Sequence, residues 1–286
     1  MASALDKFRS LVEAQAKARN TVEKNARKAV RARTTRMKDD DWRDYDAVTA
    51  FAADTKRIVN TYQRQQAALV NAYHARQLTM VSDRTAAPVE QIDVENLRGV
   101  PDTSTYGRLA DHFRFLRDND ARLHTAAEAY ELVAARAEAV ADIDMLLAHR
   151  EQEHRFLRSK RIVTGWRYVV HPELSPSGTC GLCLAASDRV YNRTRRRAIH
   201  AYCKCEAVEI TGEPGQDFGF QLNQDDLGVI YAKAGGTKAG DALRRTRFTI
   251  REHGELGPVL TYRGQQFRGP KQVREDTTHD KPLPDS

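Results

Sequence analysis

The first 87 residues contain neither glycine nor proline; Pro88 is the first of the strong helix breakers and Gly99 the second. A run of that length, rich in Ala, Arg, Lys, Gln and Glu, has little choice but to form long helices. Phe51, Ile58, Tyr62, Leu69 and Tyr73 recur at alternating steps of seven and four, which puts them on one helix face. The Asp39-Asp40-Asp41 run after Lys38 reads as a break and a new helix start, because aspartate caps helix N-termini and complements their dipole. A second breaker-free run from Asn119 to Thr164 keeps helical period through Leu123, Tyr130, Val133, Ala137, Val140 and Leu147. Its alanine-rich stretch 126–141 allows close helix approach. Between the two runs, residues 84–118 carry Pro88, Gly99, Pro101 and Gly107 and read as a connector with short helices or turns.

The pattern changes at Gly165. Trp166-Arg167-Tyr168-Val169-Val170 and Ala207-Val208-Glu209-Ile210 read as strands. Residues 223–246 read as two short helices around a Gly235-Gly236 turn. Phe248-Thr249-Ile250 and Val259-Leu260-Thr261-Tyr262 are further strand candidates. The expected fold class is α+β. A helical hairpin or stalk (1–164) leads into a small Cys/His metal module (165–212), then a C-terminal α/β extension (213–268) and a polar tail (269–286) expected to be disordered.

All four cysteines fall in one window: Cys180-x2-Cys183, a basic loop, then His200-x2-Cys203-x-Cys205. Two clips of soft or borderline ligands, with nineteen residues between Cys183 and Cys203, are how a chain builds a tetrahedral structural zinc site. Five side chains compete for four places: Cys180, Cys183 and Cys205 with either His200 or Cys203. The plain alternative is a packed cluster of reduced thiols. The opening residues have no long apolar core or small-residue cleavage pattern, so a reducing cytoplasm is expected, where clustered thiols bind metal rather than oxidise. No segment approaches the roughly 20 apolar residues that span a bilayer, and no membrane partner is expected.

The net charge is +7, which favours an acidic partner. Residues 1–38 hold eleven Lys or Arg against three acids, read equally as a phosphate-contacting arm or a packing helix with solvated charges. Arg189, Arg193, Arg195, Arg196, Arg197 and Lys204 flank the cysteine clips and are candidates for nucleic-acid or protein contact, against ordinary surface charge. His149 and His154, five apart, miss the four-residue spacing of zinc-protease helices and read as solvated. The Gly235-Gly236-x-x-x-Gly240 run lacks the Lys-Ser/Thr of a phosphate loop, and no Gly-x-Ser-x-Gly elbow occurs. No nucleophile, base and orienting acid assemble, so no enzyme activity and no small-molecule substrate are expected.

His171-Pro172-Glu173-Leu174, the run Gly178-Thr179-Cys180-Gly181-Leu182-Cys183-Leu184-Ala185-Ala186-Ser187-Asp188-Arg189-Val190-Tyr191, and His200-Ala201-Tyr202-Cys203-Lys204-Cys205 resemble the phage Mu F-like minor head protein family, in the branch found in tailed phages of actinobacteria. Tyr231-Ala232-Lys233-Ala234-Gly235-Gly236-Thr237 and His253-Gly254-Glu255-Leu256-Gly257-Pro258-Val259-Leu260 look like the same branch. The helical half is similar in character only. The resemblance implies a head morphogenesis (minor capsid) protein, present in few copies inside the capsid after assembly in the host cytoplasm. It implies contacts to the portal and to major capsid or scaffolding protein, with packaged double-stranded DNA as a further partner. Arg195-Arg196-Arg197 stands where a more apolar approach to the histidine is expected, which leaves that loop's partner open. Some members of the branch are labelled capsid maturation proteases, the enzymatic alternative. A host-facing DNA-binding factor is a third.

Overall fold

The computed structural model describes residues 4–82, 84–118, 124–171, 174, 178–195, 204–212, 224–236, 240–253 and 257–262. The tail 269–286, His200, Cys203, Arg196 and Arg197 lie outside them. The fold is α+β with long N-terminal helices, as the sequence implies. Four helices, α1 (Ala4–Thr34), α2 (Tyr45–Ser82), α3 (Asp102–Asp118) and α4 (Ala126–Ser159), come first. Then follow β1 (Gly165–Val169), β2 (Thr179–Cys180), α5 (Gly181–Ser187), β3 (Val190–Asn192), β4 (Glu206–Ile210), α6 (Gln224–Lys233), α7 (Gly240–Arg245), β5 (Arg247–His253) and β6 (Gly257–Tyr262). The strands form two three-stranded sheets, ordered β3-β1-β4 and β2-β5-β6. The chain divides into two compact units: Met1–Trp166 with Tyr191–Cys203 and Ala207–Phe218, and Arg167–Val190 with Lys204–Glu206 and Gly219–Ser286.

In the first unit α1, α2 and α4 pack mutually, and α3 packs on α2 and α4. Trp42, in the turn after α1, is fully buried; its ring lies 5.0 Å edge-on to Phe51 and 5.5 Å stacked on Phe113. Such aromatic pairs are worth about 0.5–1.5 kcal/mol beyond their burial. The alanines of α4 do what the sequence suggests: Ala129, Ala134, Ala137 and Ala141 are wholly buried. Thr125 starts α4 with a capping box, its hydroxyl accepting from the Glu128 N–H while the Glu128 carboxylate accepts from the Thr125 N–H.

Three expectations shift. The aspartate run breaks the chain, with the Asp41 carboxylate accepting from the Lys38 N–H at 2.8 Å, but the helix starts later, where Asp44 caps the Ala47 N–H at 2.7 Å. The connector expected over 84–118 contains the 17-residue helix α3. Gly107 does not stop that helix because Tyr106, Leu109, Ala110, Phe113 and Leu116 bury its opposite side, and packing outweighs one poor helix former. The apolar stripe Phe51 to Tyr73 is only one margin of α2's buried face. Its middle is polar: Thr55, Gln63, Gln66, His74 and Gln77 are all buried. Gln63 donates to the Asp144 carbonyl at 3.1 Å, Gln66 to His149 Nδ1 at 3.0 Å, and Gln77 to the Tyr73 hydroxyl at 3.2 Å. Periodicity of apolar residues does not see such amides.

A second polar knot sits where α3 and the connector meet α4. Asp144 is buried, accepting from the Tyr106 hydroxyl at 2.5 Å and from Arg98 Nε at 2.6 Å; Arg98 also donates to the Val140 carbonyl at 2.9 Å. Burial pushes the Asp144 carboxyl up, and Arg98 and Tyr106 draw it back down. Burial and that carboxylate push the Tyr106 phenol well above its ordinary value, so the phenol keeps the proton it donates.

Residues 86–95 run as an extended strap whose backbone groups are bound by side chains. Asn71 on α2 accepts from the Val89 N–H at 2.9 Å and donates to the Val89 carbonyl at 2.5 Å. Gln152 on α4 accepts from the Ile92 N–H at 2.8 Å and donates to the Glu90 carbonyl at 3.3 Å. Thr79 accepts from the Ala86 N–H and Lys160 donates to the Ala87 carbonyl. Ile92 and Val94 complete the anchorage in a small cluster with Ala67 and Ala148.

In the second unit β2 pairs antiparallel with β5 (Thr179 opposite Phe248, Cys180 opposite Arg247), and β5 pairs antiparallel with β6 from Phe248–Tyr262 to His253–Gly257. Helix α5 packs on α6 and α7. Leu184, Ile230, Leu243 and Phe248 form the buried interior.

Candidate functional site

The first cysteine clip is a strand-to-helix turn. Cys180 ends β2 and caps α5 from extended backbone (φ −73°, ψ 146°), and its Sγ accepts from the Cys183 N–H at 3.4 Å. A backbone N–H aimed at a sulfur favours the thiolate that binds metal. Two glycines make the turn possible. Gly178 sits at φ +81°, and a Cβ there would stand 2.5 Å from the Phe248 carbonyl oxygen. Gly181 donates its N–H to the Thr246 carbonyl at 3.0 Å, and a Cβ on it would lie 3.0 Å from the Leu243 carbonyl oxygen. Buried Arg167 closes the other end of α5, donating to the carbonyls of Ser187 (3.1 Å) and Asp188 (2.7 Å). Cys180, Cys183 and Cys205 are all buried in this unit. His200 and Cys203, the two rivals for the fourth ligand, are outside the described residues.

The basic candidates divide by role. Arg193 is half-buried and donates to the carbonyls of Arg158 (3.2 Å) and Lys160 (3.3 Å), closing the C-terminal end of α4. It is a structural side chain here. Arg195 is exposed with its guanidinium 5.8 Å from the centre of the Tyr191 ring, which itself stacks 4.5 Å from Trp166. Arg189 is exposed and Lys204 half-buried. Arg196 and Arg197 lie outside the described residues.

The polar centre of the first unit carries no apolar or motif signal in the sequence. His74, on α2, is completely buried between Glu209 of β4, whose Oε1 is 2.7 Å from Nδ1, and Glu153 of α4, whose Oε1 is 3.7 Å from Nε2. The same Glu153 oxygen is 3.7 Å from His149 Nε2 and accepts from the Ala207 N–H at 3.2 Å. The Tyr73 hydroxyl donates to the Ala207 carbonyl at 3.4 Å. Burial works against a charged His74 ring, but the Glu209 and Glu153 carboxylates outweigh it, and its pKa rises to about 10. Glu209 is pushed up by its own burial and drawn back by His74. At neutral pH the ring is therefore an imidazolium held between two carboxylates, and it ties β4 to α2 and α4.

His149 is thus not the solvated histidine its spacing to His154 suggests; it is wholly buried, while His154 is half-buried with Nε2 3.2 Å from the Thr194 carbonyl oxygen. The informative spacing is His149 to Glu153, four residues along one helix face. Both belong to a buried His/Glu group that could hold a metal ion. No helix among the described residues is long and apolar enough to cross a membrane. Comparison with family models, with curated proteins and with solved structures finds no match to this chain.

Proposed function

We propose that the chain is a minor capsid protein of a tailed phage that acts structurally in head morphogenesis, inside the capsid and near the portal. The observation that carries this reading is that separate stretches bearing the Mu F-like motif meet in one core. The turn Gly178–Cys183, the helix it starts and α6 pack together around Ile230 and Phe248; in the Tyr231–Gly236 stretch Ala234 is buried, Tyr231 is half-buried, and Ala232 and Lys233 are exposed. A motif that held only surface residues would have no reason to do so. Cys180, Cys183 and Cys205, with His200 or Cys203, are the proposed ligands of a structural zinc ion that fastens this small unit. The partners that follow are the portal and the major capsid or scaffolding protein, with packaged duplex DNA as a further contact.

Mass spectrometry of purified phage particles tests the reading; the protein is expected in every preparation at low copy number. Its absence from particles would reject a head role. Atomic absorption on the purified full-length chain tests the metal. About one zinc per chain is expected, lost together with the folded second unit in Cys180→Ser. Zinc well below one per chain in protein purified without chelator would remove the metal and leave packed thiols. Trimmed capsid protein that reappears untrimmed after a single Ser, His or Asp substitution would instead favour the protease.

A further inference from the structure

Most of the eleven basic residues of the N-terminal segment divide by type, the exposed Arg9 and Arg36 being the exceptions. Among the arginines of α1, Arg19 pairs with Glu23 at 2.8 Å, both buried; Arg27 pairs with Asp142 at 3.1 Å, Arg31 with Glu131 and Glu138, and Arg33 with Asp54 at 3.1 Å. These four are spent on the bundle. The lysines point the other way. Lys7, Lys17, Lys24 and Lys28 are all exposed, and they fall on one ridge of the helix at steps of ten, seven and four. Along that ridge the residues are Lys7, Ser10, Ala14, Lys17, Thr21, Lys24, Lys28, Ala32 and Thr35, every one of them exposed. It contains no acid and no large apolar side chain. Glu13 lies 3.9 Å from Lys17, and both side chains are more than half exposed. At its start the ridge forms one wall of an open groove lined by Lys7, Ser10 and the exposed Arg76 of α2, with Asp6 the one carboxylate in the lining.

We infer that this ridge, together with Arg76, is a sequence-independent contact for the phosphate backbone of double-stranded DNA. Protein–protein contact surfaces are anchored by aromatic and large apolar side chains and are depleted in lysine; this ridge is the reverse. Small side chains between the lysines let a second backbone approach closely. From Lys7 to Lys28 the helix rises roughly 32 Å, close to one turn of duplex at roughly 34 Å. Lysine, a mobile point charge with no planar fork, suits neutralisation without base reading. The choice of duplex DNA among polyanions rests on the head-protein reading; the phosphate contact itself does not.

The test is fluorescence anisotropy of the full-length chain with a mixed-sequence DNA duplex over a salt series. Five phosphate contacts give a slope of log K against log salt of about −4.5, or about a 500-fold loss of affinity between 50 and 200 mM salt. Lys17→Gln/Lys24→Gln/Lys28→Gln is expected to fall to a slope of about −2 and about a 12-fold loss, with an unchanged circular dichroism spectrum. Thr21→Lys, which fills the widest gap between the central lysines, is expected to steepen the wild-type slope by about 0.9. An unchanged slope in both variants, or no binding of wild type at 50 mM salt, overturns the inference. So does a triple variant that keeps duplex binding but loses binding to purified portal protein, which would assign the ridge to an acidic protein surface. A chain that binds duplex yet is missing from purified heads keeps the contact and removes the head-protein reading. A chain present in heads that fails to bind duplex removes the contact alone.

Discussion

The Asp144 knot allows a quantitative test of what holds the first unit together. Tyr106 and Arg98 both reach a buried carboxylate, so each bond is charge-assisted and made away from water. Removing the phenol in Tyr106→Phe deletes one such bond and leaves a carboxylate with one donor fewer, a cost of about 1.5–3 kcal/mol. Asp144→Asn keeps the shape, removes the charge and strands the Arg98 guanidinium. Breaking a buried pair costs about 3–5 kcal/mol. Arg98 keeps 20% of its side chain exposed, which places the expected loss at the lower end of that range. The two effects share one carboxylate, so they should not add. In the Asp144→Asn background Tyr106→Phe should cost about 1–2 kcal/mol less than in wild type. Urea unfolding of the four proteins, followed by far-ultraviolet circular dichroism at constant slope, measures the cycle. Additivity within about 0.5 kcal/mol would refute the knot as a coupled unit and leave Tyr106 as a packing residue that happens to touch Asp144.

His74 predicts a pH dependence. Its folded pKa of about 10 lies above the ordinary histidine value, so its stabilisation is complete below about pH 6.5 and disappears as pH rises through about 10, with a slope of up to ~1.4 kcal/mol per pH unit. Glu209 is also raised, so its own loss of stabilisation runs in the same direction but begins at the ordinary glutamate value, below this window. Melting temperature should fall from pH 7 to 10, and His74→Gln should flatten that fall; parallel curves for the two proteins would contradict the ion-pair account. Gly178→Ala places a Cβ against backbone at a positive φ, so loss of more than about 2 kcal/mol is expected, seen as early melting of the second unit by hydrogen exchange. A wild-type exchange pattern would mean that the turn can rearrange. Asn71→Ala removes both bonds to Val89 and should cost about 1–3 kcal/mol, with the exchange of the Val89 amide accelerated before that of the α2 core; uniform acceleration would show instead that the strap does not open by itself.

Much of the architecture was legible. The absence of breakers to Ala87 and again from Asn119 to Thr164 marks the long helices, and β-branched and aromatic runs mark β1, β4, β5 and β6. The glycine pair at 235 and 236 marks the end of α6, where both residues take positive φ. Helix α3 was less legible, because Pro101 and Gly107 look like punctuation and only tertiary burial overrules them. The buried polar residues were least legible. Gln63, Gln66, His74 and Gln152 carry no apolar signal, and each is bound by a partner distant in sequence. At the candidate site, the Cys180–Cys183 pair announces its turn through local spacing. Arg193 does not announce its role, since its partners, the last carbonyls of α4, lie more than thirty residues earlier. The charge total of the N-terminal segment could not say which cations face inward; that depended on where Asp54, Glu138 and Asp142 come to stand.

The strap over residues 86–95 makes order of assembly a property of the sequence. It contributes few side chains to any core, and its amides are paired by Asn71 from one helix and by Gln152 from another, eighteen and sixty residues away respectively. Neither helix alone can hold it, so it can settle only after α2 and α4 have found each other. The amide of Ile92 is therefore a clock for that event. Its protection during refolding should lag that of the helices on either side and coincide with the moment the bundle closes.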